Sequence, residues 1–203
     1  MPHRREDTPF AEWCTTLRII VSMSSGSGEL LERLVLGFDR RVRAVPHDRW
    51  SSPTPCEGWS ASDLVGHVTT TMAGLAAALT QTAPASFDPA DITGSWETAR
   101  DAVVHAMHTA DLTTKVPGPI GLMPAAAVID NLLSIDVLVH TWDLARAVGG
   151  DEALDSDDVV RALAVMQPMD AVIRAPGVFG PKVPVPAGAD SQTELLHFLG
   201  RRT

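Results

Sequence analysis

An all-α fold, a four-helix bundle joined by long crossover loops, follows from three observations on the chain. Apolar residues recur at helical spacing in four long segments. The connections between those segments are rich in Pro and Gly. The glycines at 26, 28, 118, 121, 177 and 180 form no G-x-G-x-x-G between a strand and a helix, and no internal repeat is present, so a dinucleotide-binding fold has little support. The 203 residues suffice for one domain with a sizeable core. That domain is expected over residues 27–203. Residues 1–26 are read as an N-terminal extension, either flexible or an arm that packs onto the domain.

The first helix is expected after Ser27 or Gly28, where "ELLERLVLGFDRRVRAV" sets Leu30, Leu34, Phe38 and Val42 on one stripe before Pro46 ends it. A turn-rich segment then leads to Ser60. With Asp63 three residues on, Ser60 forms a capping-box pattern and opens a helix to about Thr80. Residues 82–94 read as loop, and Ser95 is the expected cap of a third helix to about Ala110. "LTTKVPGPIGLMP" is broken by Pro117, Gly118 and Pro119 and has room for one short strand at most, which Val183 and Val185 could pair. The longest helix is expected from Ala125 to Val148, about 35 Å at 1.5 Å per residue, stopped by Gly149-Gly150. A fifth should run from Asp155 or Ser156 to about Ile173. A Pro/Gly-rich loop and a terminal helical turn or two complete the chain.

The formal net charge of −9 disfavours nucleic acid as a partner, because phosphate binding depends on clustered Lys and Arg. The short basic pairs Arg4-Arg5, Arg40-Arg41 and Arg201-Arg202 read as solvated surface. Cys14 and Cys56 make neither a disulfide framework nor a metal knuckle, which fits a reducing cytoplasm. The apolar run from Leu17 to Val21 is too short for a signal-peptide core or a membrane span.

The stretch "NLLSIDVLVHTWDLARAVGG" carries the chemistry. It is apolar on nearly every side, yet Asp136 and His140 lie one helical turn apart on one face. An unpaired carboxylate there would cost several kcal/mol, roughly, or take up a proton. A salt bridge, a mutual Asp-His hydrogen bond or a divalent metal would relieve that cost. His67, set among Val65, Val68 and Met72 in the second helix, needs a partner as well. Two facing helices could bring His67, Asp136 and His140 together as a site for Zn²⁺, with Ni²⁺ or Fe²⁺ also suited, leaving a position open for water or a thiolate.

Around that set, Asp143 could orient an imidazole or pair with Arg146. Trp59 and Trp142 read first as bundle packing, and either could line the mouth of a metal cavity. His105 and His108 sit on a face charged enough to be partly exposed. Cys56 reads as a turn or packing residue more readily than as a low-pKa thiol. Ser25 and Ser27 lack any triad pattern.

Two blocks, "WSSPTPCEGWSASDLVGHV" and "IDVLVHTWDLARAVGG", resemble the signature blocks of the mycothiol-dependent maleylpyruvate isomerase N-terminal, or DinB-like, superfamily of actinobacterial metal-binding proteins. The closing "APGVFGPKVPVPAGADSQTELLHFLGRR" is similar to the tail of its single-domain branch. The resemblance runs from about Ser27 to Arg202. It implies a four-helix bundle whose divalent metal is held by His67, Asp136 and His140. It also implies mycothiol as a cosubstrate. The isomerase has Glu where this chain has the shorter Asp136, and it carries a further C-terminal domain.

The leading functional expectation is a thiol-dependent transferase or isomerase-like enzyme. Its metal-activated thiolate would attack a small electrophile, in a cytoplasmic monomer or homodimer with neither nucleic acid nor membrane as partner. The alternatives are a metal-dependent hydrolase, a protein that binds metal or a small ligand without turnover, and a structural domain in which the Asp-His pair is a buried polar network.

Overall fold

The computed structural model describes residues 27–118, 121–174 and 179–203, and the expected extension over residues 1–26 lies outside them. Helix α1, Ser27–Arg43, buries Leu31, Leu34, Val35, Phe38 and Val42. Its core face is therefore turned slightly from the stripe expected, and Leu30 sits at the edge. Helix α2, Ala61–Thr80, begins as its sequence requires. Ser60 Oγ accepts the Asp63 N–H, and the Asp63 carboxylate accepts the Ser60 N–H at 2.9 Å.

Helix α3, Ile92–Thr109, starts three residues before the expected cap. Asp91 caps it by accepting the Gly94 N–H, which lets Ile92 enter the core. Ser95 instead accepts the Asp88 N–H at 2.9 Å and fixes the preceding loop.

A two-stranded antiparallel ribbon follows, β1 at Lys115–Gly118 and β2 at Gly121–Pro124. The expected short pair exists, but its second strand comes from the same segment and not from Val183 and Val185. Pro117 is tolerated because both strands of such a ribbon are edges, where a missing N–H breaks no interior ladder. Gly121 supplies a backbone φ of +112°, which L side chains rarely adopt. The Val183 N–H instead donates to His197 O at 2.9 Å and ties the closing loop to the terminal helix.

Helix α4 runs from Ala125 to Val148 and ends with Gly149 in the left-handed conformation. It is α-helical at Ala125–Val128, π-helical at Ile129–Leu133 and α-helical again at Ser134–Val148. The π segment has no sequence signature, because an element apolar on nearly every side loses little burial when one extra residue rotates it. By length and composition α4 could cross a membrane, yet 78% of its most apolar window is buried inside the protein, as in a core helix.

Helices α1 to α4 close a ring: α1 packs on α3 and α4, and α2 packs on the same two. Helix α5, Ser156–Met166, is capped by Asp155 and is shorter than expected. Pro168 converts its continuation into a 3₁₀ turn, Gln167–Met169, followed by the short α6, Asp170–Ile173. Arg33 grips Asp158 with both terminal nitrogens, fastening α5 to α1. The terminal helix α7, Ser191–Phe198, packs on α5 and buries Leu195 and Leu196.

Candidate metal centre

The contact between α2 and α4 brings the three expected ligands together. His67 Nε2 lies 3.4 Å from Asp136 Oδ1, and His140 Nε2 lies 3.4 Å from the same oxygen. One donor atom from each residue falls within 4.8 Å of the others. Two donors about 2.0–2.1 Å from one tetrahedral ion would stand about 3.4 Å apart, so the spacing fits a shared ion better than a strong mutual hydrogen bond. Asp136 Oδ2 supports the same fit: it is buried and has no hydrogen-bond partner among the described residues. A buried carboxylate oxygen in that state needs a cation or a donor.

The electrostatics are those of a charge cluster closed on one side. Burial pushes the Asp136 carboxyl up, but His140 and then His67 override it and hold the group well below the usual carboxylate range. Burial pushes the His140 imidazole down, and the neighbouring Asp136 and Asp143 raise it well above its ordinary value. The side chains of His140, Asp136 and His67 are 8%, 27% and 36% exposed, so the cluster opens to solvent on the α2 side.

Asp143, three residues beyond His140, resolves the alternative left by the sequence. Its Oδ2 lies 3.0 Å from His140 Nδ1, and Arg146 pairs with Glu152. A carboxylate can only accept, so Nδ1 donates to Asp143, and when the ring gives up its other proton it is Nε2 that presents a lone pair toward Asp136 and His67. Asp143 is fully buried and is gripped by Arg201, Nε to Oδ1 at 3.2 Å and Nη2 to Oδ2 at 2.9 Å. Arg201 was expected on the solvated surface. It is only 9% exposed, because the chain turns inward after α7. Nothing local in the Arg201-Arg202 pair signals this burial.

The segment ahead of α2 supplies the cluster's other wall. Thr54 N–H donates to Trp59 O, Trp59 N–H to Cys56 O, and Ala61 N–H to Ser52 O, with Gly58 at φ +80° making the reversal. This closed loop holds the Trp59 ring 5.0 Å from the His67 ring and 6.0 Å from the His140 ring, centroid to centroid. Trp59 is thus a wall of the site. Trp142 is buried and bears the Arg146 guanidinium 5.7 Å from its ring centre, a packing role.

The same loop sets Cys56 Sγ 3.5 Å from Asp143 Oδ2 and 3.5 Å from Arg201 Nη2, making it a neighbour of the cluster. His105 and His108 are exposed, and His108 pairs with Glu32 at 2.9 Å.

Residues 31–145 match the family described as the mycothiol maleylpyruvate isomerase N-terminal domain. Two uncharacterized proteins from two strains of Mycobacterium tuberculosis are each 32% identical to the chain over 170 residues, covering 81% of it and 91% of the relative. A crystal structure of a histidine-to-alanine mutant of the mycothiol-dependent maleylpyruvate isomerase superposes with a TM-score of 0.55 at 16% identity. That superposition takes in 68% of this chain and 66% of the isomerase, just under two thirds of its length, and at such identity it establishes the fold alone.

Proposed function

Because the chain belongs to the mycothiol maleylpyruvate isomerase N-terminal domain family, we propose that it uses His67, Asp136 and His140 to hold one divalent metal ion, Zn²⁺ foremost. In this reading it is a thiol-dependent transferase or isomerase-like enzyme acting on a small electrophile. The observation that carries the reading is the convergence of two Nε2 atoms on one Asp136 oxygen, with the second oxygen buried and without a hydrogen-bond partner among the described residues.

An ion bound there would lower the pKa of a coordinated thiol and keep it as the thiolate. The residues do the rest. Asp143 fixes the tautomer and angle of His140. Trp59 shields both imidazoles on one side, and the exposed edge of His67 leaves the approach for thiol and electrophile. Mycothiol is the thiol that the isomerase relative is named for. A reducing cytoplasm is the compartment in which such a thiol would be at hand.

The test is metal content by plasma mass spectrometry on tag-free protein, followed by thiol consumption with mycothiol and a panel of enediones and activated halides. One equivalent of divalent metal and a metal-dependent rate above that of thiol alone are expected. Stoichiometric metal without turnover across the panel would favour a binding protein, and an empty protein that resists reconstitution would leave the cluster as a structural network.

A further inference from the structure

We propose that Arg201, from the last turn of the chain, is a positioning residue for the metal centre and acts through Asp143 on His140. The inference rests on the metal-site reading above and assigns the C-terminal segment a part in it.

Four observations place Arg201 there. The first is the turn. Arg201 N–H donates to Leu196 O at 2.8 Å and Gly200 N–H donates to His197 O at 3.1 Å, the paired bonds of a Schellman cap on α7. Gly200 takes φ +85°, and a Cβ on it would stand 3.0 Å from Pro181 O and 3.2 Å from the Gly180 carbonyl. Only glycine fits, and the residue after it is aimed inward.

The second is the grip. Both oxygens of Asp143 are taken by Arg201, whose Nη1 also donates to Leu199 O at 3.0 Å. A planar fork matched to a carboxylate fixes position and angle together.

The third is burial. Asp143 has no exposed surface, so without a counter-charge it would have to take up a proton or turn away from His140.

The fourth is the enclosure. Phe179 lies 5.5 Å from the guanidinium carbon, Cys56 Sγ touches Nη2, and His197, held by Pro184 O and Thr203, steadies the flanking chain. The path runs from Gly200 through Arg201 and Asp143 to the Nδ1 of His140, and so to the direction of its Nε2.

The experiment measures zinc affinity by competition with a chromophoric chelator, together with the melting temperature of the metal-free protein. The variants are Arg201→Gln, Arg201→Lys, Asp143→Asn and the Arg201→Gln/Asp143→Asn double. Arg201→Gln should weaken zinc binding by about 10–100-fold, the range for loss of a partner that orients a metal-ligating histidine. Arg201→Lys, which keeps the charge without the fork, should fall between it and wild type. The double variant should be no weaker than the worse single.

An Arg201→Gln protein that melts earlier yet binds zinc like wild type would show a purely structural role and overturn the proposal, as would additive losses in the double variant. Should Arg201→Gln not fold, Arg201→Lys decides alone: unchanged affinity overturns the proposal, and a loss approaching 10-fold supports it. Wild-type protein that takes up no zinc would overturn the metal-site reading and this inference with it. Zinc-binding wild type with unaffected Arg201 variants would overturn this inference only.

Discussion

His67 and Asp136, 69 residues apart, meet at 3.4 Å across the α2–α4 contact on the solvent-facing side of the cluster. His67 is the most exposed of the three clustered side chains, so its loss should disturb the proposed metal binding far more than the metal-free fold. His67→Ala should change metal-free stability by no more than about 1 kcal/mol, the worth of a partly exposed pair. Zinc at a hundredfold excess over its dissociation constant should add about 2.7 kcal/mol to wild type and nothing to the variant. Thermal melts with and without zinc check this, and an equal upward shift in His67→Ala would remove His67 from the ligand set.

Zinc binding should strengthen as pH rises. The metal needs a neutral His140, and the carboxylates beside that ring hold it protonated well above the ordinary histidine value of about 6.5. Its contribution to the metal-free fold is complete below that ordinary value and fades as pH climbs through the raised one. Asp136 works at the other end: its contribution is present above the usual carboxylate value and fades only as pH falls through the depressed one. Between those limits the metal-free protein keeps its own ion pair, and zinc must displace a proton to bind. Calorimetry in two buffers of different ionisation heat should report proton release and an affinity that keeps rising from about pH 6 to 8. Flat affinity over that span would mean His140 is already neutral.

A second buried charge, Asp39, ties α1 to α3 away from the metal centre. It accepts from Trp96 Nε1 at 3.0 Å, Arg100 Nη1 at 2.6 Å and Arg43 Nε at 2.9 Å. Burial pushes its carboxyl up, but the two guanidinium groups and the indole N–H hold it below the usual range. Asp39→Ala would strand the buried Trp96 N–H and leave the half-buried Arg100 with Asp101 as its partner, and should cost about 1–3 kcal/mol in denaturant melts. The sign with pH follows from the depressed value: Asp39 contributes stability above about pH 4, lost as pH falls through its folded value. Asp39→Asn should therefore show a shallower loss of stability on acidification, and an unchanged slope would discount the network.

The features legible in the sequence were the local ones. Ser60 and Asp63 are three residues apart, and the cap they form needs nothing else. Asp136 and His140 share a helix face by spacing alone, and a histidine in the apolar run around His67 advertised its need for a partner. Arg201 was illegible because its burial depends on a Schellman turn and a carboxylate 58 residues away. The cap of α3, expected at Ser95, was misplaced for a different reason. Asp91 and Ser95 have similar cap preferences, and only the burial of Ile92 chooses between them. The π segment of α4 and the pairing of β1 with β2 are set by packing that leaves no periodic trace.

Gly66, the residue before His67, should be required for the loop that crosses α2. A glycine in a helix interior ordinarily costs about 1 kcal/mol relative to alanine, so Gly66→Ala on an open face would stabilise the protein. Here the added Cβ would stand 2.8 Å from Phe87 Cε1 and 3.0 Å from its Cδ1, closer than any relaxed contact. Phe87 packs against the core from the loop between α2 and α3, so the ring must leave its seat or α2 must shift beside His67. Overpacking of this kind costs about 1–3 kcal/mol, which outweighs the helical gain. Gly66→Ala should therefore destabilise the wild-type background and stabilise a Phe87→Ala background, a reversal of sign that a double-mutant cycle of urea midpoints would detect. The same direction in both backgrounds would mean that Phe87 does not press on α2 in solution.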